Sequence, residues 1–217
     1  MKTQTITKDS IIEAYSDYIL IHGERPKNIY QFAKDLNTTE QEFYKYYGNF
    51  EAIERDYLKI LFEKSLELSI SAEGYASQSS KEKLLNLYYI FIENLTLNRS
   101  FVLELLKGNA RQMMIKMQSL KNLHKQFVET LHFEELELLK KVSKDLQRWN
   151  DKYREEILWL HFISIIEFWK NDQSPQFEKT DLYIEKTIDT GFELIDNEPI
   201  RKFIDLGKFL YKEKFGK

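Results

Sequence analysis

Four histidines, four methionines and no cysteine limit the chemistry open to this 217-residue chain. Without a thiol there is no disulfide, thiolate metal site or cysteine nucleophile, which fits a reducing compartment, the cytoplasm. His124 and His161 lie in apolar helical patterns. Neither has a second ligand at i+3 or i+4 in an HExxH-like context, so no metal site is expected. Each reads either as a core imidazole with a satisfied hydrogen bond or as a contact to a bound molecule. Met113, Met114 and Met117 recur at helical spacing, either as ordinary core or as the adaptable wall of an apolar pocket. No glycine-rich phosphate loop and no nucleophile elbow occurs, and neighbours such as Glu63 and Lys64 or Glu185 and Lys186 read as solvated helix faces. An enzyme is not expected, and no cofactor is implied.

The elements that hold these residues follow from composition and period. Hydrophobic residues make up 42% and aromatics 14%, with only seven glycines and three prolines, which predicts an all-α protein with an ample core. The polar start MKTQTITKDS has no apolar signal core. The apolar run Ile157 to Trp169 is flanked by charges and is shorter than the roughly 18 residues of a membrane span, so it reads as a buried helix and no membrane insertion is expected.

Ile11, Ala14, Tyr15, Tyr18 and Ile19 define one helix face, with Thr7 as its cap and Gly23 as a left-handed stop. Asn28 caps a short second helix carrying Ile29, Phe32, Ala33 and Leu36, which Asn37 breaks. Thr39, with Glu42 three positions on, opens a third helix whose Phe43, Tyr46 and Tyr47 face the core while Tyr44 faces outward. A long helix follows from Phe50 to about Ser71. Ser79 and Glu82 form a second capping box before LLNLYYIFIENL, and a short segment opens at Arg99 and stops at Gly108. A stripe then runs from Ala110 to Leu131, and charged helix continues through Trp149. Thr180 is expected to cap a helix to about Ile195, and Pro199 to open a last one ending near Phe215.

The order and spacing of the first fifty residues resemble the N-terminal helix-turn-helix domain of TetR-type transcriptional regulators. The residues that carry the likeness are Ile11, Ala14 and Gly23, then Phe32 and Ala33, then Phe43, Tyr44, Lys45, Tyr46 and Tyr47, followed by Glu51, Ala52 and Ile53. The resemblance implies a TetR-like fold, with a three-helix DNA-binding domain over residues 1–50 and a larger helical bundle over 51–217 for ligand binding and dimerisation, joined by a connecting helix at 51–73. Carried over residue by residue, it implies groove-facing Thr38, Thr39, Gln41, Glu42 and Lys45, with Tyr44 and Lys45 reaching the backbone and Lys27 and Asn28 near phosphate. The first fifty residues hold six basic side chains against seven acidic ones, and the whole chain carries a net charge of -3. Glu40 and Glu42 stand where the family more often has basic or small residues.

Two readings follow from the resemblance. One is a cytoplasmic repressor that binds operator DNA as a homodimer and is released by a small hydrophobic or amphipathic ligand. The other is a TetR-fold lipid or isoprenoid binder that has lost DNA readout. Dimerisation is expected through Ile157 to Trp169 and Asp181 to Ile195, because a helix apolar on nearly all sides needs covering on nearly all sides. The ligand is expected between three stripes: Leu87, Tyr88 and Phe91; Met113, Met114 and Met117; and Trp159, Phe162 and Ile166. His161 and Lys116 are the polar groups nearest them in sequence, which favours a guest with one polar or anionic head.

Overall fold

The computed structural model describes residues 6–132 and 144–196. The elements are helices α1 (Lys8–His22), α2 (Ile29–Asp35), α3 (Glu40–Phe43), α4 (Phe50–Ser71), α5 (Ser80–Leu97), α6 (Arg99–Leu105), α7 (Ala110–Glu129), α8 (Lys144–Asn171) and α9 (Glu178–Asp196), with single 3-10 turns at Tyr75–Ser77 and Pro175–Phe177. No strand occurs among the described residues. No described helix is long and apolar enough to cross a membrane. The helix expected after Pro199 and residues 133–143 lie outside the described residues.

Local chemistry sets the element ends. At Thr7 the hydroxyl accepts from the Ser10 amide at 3.2 Å while the Ser10 hydroxyl accepts from the Thr7 amide at 2.9 Å, a reciprocal cap. Gly23 closes α1 at φ 70°, where a side chain would be strained. Asn28 Oδ1 accepts from Gln31 at 2.8 Å to open α2, and Asn37 at φ 52° ends that segment. Ser79 and Glu82 satisfy each other's amides at 3.2 and 2.7 Å.

Two expectations are corrected. The third helix is one turn, not a segment reaching Tyr47: after Phe43 the chain tightens, with Lys45 bonded to Glu42 O and Tyr46 to Phe43 O. The aromatics explain this, because the Tyr46 hydroxyl donates to Ile6 O at 2.8 Å and that of Tyr47 to Asp56 at 2.6 Å, anchoring both rings inward. Thr180 is not a cap. It is buried inside α9, and Asp172 does the capping: its carboxylate accepts from the Ser174 amide at 2.8 Å and the Thr180 amide at 2.9 Å. Within the single chain the run Ile157–Trp169 is buried along one side. Trp159, Phe162, Ile163, Ile165, Ile166 and Trp169 are buried, whereas Ile157 is 63% and Leu160 52% exposed.

The described chain divides into two compact units, one up to Glu67 together with Glu93–Leu123, the other Leu68–Ile92 together with residues from His124 on. In the first, Ile11, Tyr15, Ile19, Phe32, Phe43 and Ile53 form a core joined by Phe101 and Leu105 of α6. Phe32 meets Phe43 edge-on at 6.1 Å, and Phe101 meets Tyr57 at 4.9 Å, the offset geometry that ring quadrupoles favour. In the second unit α8 packs on α9, where Phe168 and Tyr183 stack with centroids 4.4 Å apart.

Candidate functional site

The capped start of α2 and the single turn of α3 present polar groups outward while Phe32, Ala33 and Phe43 anchor their inner faces. Lys27, Asn28, Thr39 and Gln41 are exposed, as are Tyr44 and Lys45, whereas Thr38 and Glu42 are half-buried. Two commitments reduce what this face offers. Lys45 Nζ sits 2.7 Å from Glu42 Oε1, so its charge is matched by the acid on the turn before it. Asn28 Oδ1 and Thr39 Oγ1 accept from the amides of Gln31 and Glu42, so both side chains serve as caps. Tyr30, 62% exposed, and Lys34 stand on the outward side of α2 and were absent from the sequence-based candidates. The signal for them was available: they alternate with buried Phe32 and Ala33.

The first unit also holds a polar cluster that sequence reasoning missed. Arg25, in the α1–α2 connection, donates from Nε and Nη2 to the two oxygens of Glu54, each at 2.7 Å, and from Nη1 to Glu51. The Tyr15 hydroxyl donates to Glu54 Oε1 at 2.7 Å. Glu54 is 4% exposed, so the forked guanidinium and the phenol together satisfy a buried carboxylate. Burial works against the charge on Arg25, but its bonds to Glu54 win and hold the guanidinium pKa above its ordinary value. Burial also pushes the Tyr15 phenol up, reinforced by the negative charge of Glu54. The available hint was Glu54 itself, an acid on the stripe formed with Leu58 and Leu61.

In the second unit the predicted residues Leu87, Tyr88, Phe91, Trp159, Phe162 and Ile166 are all buried, and several meet. Tyr88 lies 5.2 Å and Phe91 5.1 Å from Phe162, and His124, which was not among the predicted ligand residues, lies 5.0 Å from Phe162 and 5.6 Å from Trp159. His124 Nε2 and the Tyr88 hydroxyl are 2.8 Å apart, and His161 Nε2 and the Thr187 hydroxyl are also 2.8 Å apart. Burial, with the neighbouring His161 adding to it, lowers the His124 pKa to about 3, and burial lowers that of His161 to about 4. Both imidazoles are neutral near pH 7. In the first unit Met113 and Met117 are fully buried and Met114 is half-buried.

Two cavities stand out, and neither is lined by the predicted ligand residues. One is an open groove of about 790 Å³ beside Phe168, Asn171, Asp172, Lys179 and Tyr183. The other, of about 250 Å³, includes Arg25, Arg55, Leu58, Leu105 and Lys116. Lys116, expected near the methionine stripe as a partner for a ligand head group, donates to the carbonyl of Leu105 at the end of α6.

Comparison with known families matches residues 83–210 to the model described as tetracyclin repressor-like, C-terminal domain. No curated protein matches the chain.

Proposed function

We propose, since the chain belongs to the tetracyclin repressor-like (TetR) family of regulators, that it binds operator DNA as a homodimer through residues 1–50 and is released by a small hydrophobic or amphipathic ligand held by the C-terminal helices. The observation that carries this reading is the outward face of α2 and α3. Two short capped helices, buried by Phe32 and Phe43, leave Lys27, Tyr30, Gln41, Tyr44 and Lys45 exposed together on the side away from the core. Gln41 can pair with adenine, Thr39 can meet a thymine methyl, and Tyr44, Lys45 and Lys27 can reach phosphates.

Dimerisation is supported by the exposed apolar residues of α8 and α9. Ile157, Leu160, Phe168 and Leu182 are between 36% and 63% exposed, a stripe that a second copy would cover. The ligand reading is supported by Tyr88, His124, Trp159 and Phe162, whose hydroxyl and imidazole give an otherwise apolar cluster its polar handles. A guest that favours one dimer geometry over another shifts DNA affinity only by its differential affinity for the two.

Anisotropy titration with fragments from the region upstream of the gene tests the reading. A palindromic site should emerge, with affinity falling as salt rises. Lys45→Ala should weaken all sequences alike, and Gln41→Ala should relax one position at a cost of roughly 1 to 3 kcal/mol. Binding no tighter than to random DNA at low salt would leave the other reading, a TetR-fold lipid or isoprenoid binder. That alternative draws on the Glu42–Lys45 pair, which neutralises a cation on the reading turn.

A further inference from the structure

In the first unit, the cavity of about 250 Å³ is walled by α4, the end of α6 and the start of α7, and it reaches Arg25 in the α1–α2 connection. Its apolar lining is Leu58, Leu105 and Ile115. Its charged lining is Arg25, Arg55 and Lys116 with Glu51 and Glu54. These charges are unevenly used. Arg25 serves both carboxylates. Arg55 is exposed and forms no ion pair among the described residues, although its charge acts on Glu51, and Lys116 donates to the carbonyl of Leu105, with no carboxylate partner among the described residues. The surplus positive charge therefore rests on Arg55 and Lys116, next to apolar surface.

We propose that this cavity binds a small amphipathic monoanion, an aryl or short alkyl carboxylate, whose head is taken by Arg55 and Lys116 and whose apolar body covers Leu58, Leu105 and Ile115. The pairing of surfaces selects the class. An inorganic anion would use the cations and leave the apolar wall wet; a neutral hydrocarbon would cover the wall and leave the cations to water. A guanidinium fork matches a carboxylate with two parallel bonds, which a neutral amide cannot reproduce. At roughly 30 Å³ per water, the space corresponds to a handful of waters and suits one ring or a short chain, not a lipid.

The position gives such a ligand a consequence. Arg25 stands two residues before Lys27 and three before Asn28, the start of the outward face. A carboxylate held at Arg55 enters the field of Arg25 and competes with Glu51, the more exposed of its two partners at 50%. Occupancy is then felt in the connection that leads into α2. This consequence rests on the proposed DNA-binding reading; the binding itself does not.

The test uses the full chain without DNA, so that its outcome stands apart from whether the protein binds an operator. Methyl NMR of leucine- and isoleucine-labelled protein is followed during titration with benzoate, phenylacetate and hexanoate, with benzamide and inorganic phosphate as comparators. At least one carboxylate should shift the methyls of Leu58, Leu105 and Ile115 saturably, with benzamide weaker by about tenfold or more, a gap of about 1.4 kcal/mol, and phosphate leaving those methyls in place. Arg55→Ala should weaken the binding carboxylate about tenfold. Ile115→Glu, at a position 65% exposed and so compatible with folding, should abolish binding. Lys107→Ala, outside the cavity, should change nothing. The proposal is overturned if none of the three carboxylates shifts these methyls, if benzamide or phosphate matches them, or if Ile115→Glu binds normally.

Discussion

Glu54 and His124 are both nearly sealed from solvent, at 4% and 1% exposure, yet the first unit keeps a charge where the second keeps a neutral ring. Glu54 has a guanidinium fork and a phenol on it, enough donors to hold an ionised carboxylate away from water. His124 has a tyrosine hydroxyl on Nε2 and rings around it, and its burial, with His161 nearby, favours the neutral imidazole. What a buried titratable group becomes depends on how its burial weighs against the bonds its neighbours make to the charged form. The two units are therefore expected to fail in different ways.

The largest effect is expected from Arg25→Ala. It strands a buried carboxylate and should cost roughly 3 kcal/mol in chemical denaturation. Glu54→Ala should cost less, because the Arg25 side chain is 40% exposed and can turn to water, leaving chiefly the Tyr15 hydroxyl without its acceptor. Equal losses would mean that the pair acts as a surface ion pair and the contrast between the units fails.

Acid separates the units next. The folded pKa values of His124 and His161 lie below the unfolded imidazole value, so the unfolded state binds more protons between them. Stability contributed by keeping them neutral is complete above about pH 6.5 and declines as pH falls toward their folded values. Each histidine should cost roughly 2 kcal/mol between pH 6.5 and 5. His124→Gln should flatten the pH dependence of Tm in that window by one histidine's share, and an unchanged slope would show that the ring is not held neutral.

Asp172 sharpens the comparison within the second unit, where it is a buried carboxylate. Burial opposes its charge, but the bonds from Ser174 and Thr180 lower its pKa to about 2. Its contribution is therefore present above the unfolded value of 3.8 and lost only as pH falls through about 2, well below the histidine window. Asp172→Ala should cost roughly 1 to 2 kcal/mol at neutral pH, as loss of a cap does, without altering the pH 5 to 6.5 slope. The smallest stability change belongs to Glu42→Gln, within about 0.5 kcal/mol because its pair with Lys45 is exposed. Its value lies elsewhere: freeing Lys45 should tighten DNA binding in the same anisotropy assay.

Much of the framework was legible because it is local. Thr7, Asn28, Thr39 and Ser79 each bond an amide three residues on, and a cap of that kind depends on spacing alone. The helix Phe50–Ser71 was readable from period for the same reason. The failures share an opposite cause. Thr180 looked like a cap by type and position, but the bond that starts α9 comes from Asp172, eight residues back across a turn in which Gln176 and Phe177 both have positive φ. The length of α3 was misjudged because the hydroxyls of Tyr46 and Tyr47 answer to Ile6 and Asp56, not to their helical neighbours.

Composition and period by themselves determined that the chain is helical, where most helices begin, and which rings face inward, since these depend on contacts within a turn or two of the backbone. Tertiary structure decided the rest. Arg25 and Glu54 are 29 residues apart, as are Asn94 and Ser65, and Tyr88 and His124 are 36 apart; nothing in local spacing brings such groups together. Only packing sets the dielectric and the partners of each side chain, and these decide that Glu54 carries a charge, that His124 does not, and that Lys116 turns to a carbonyl at the end of α6 beside Arg55 instead of to the methionine stripe.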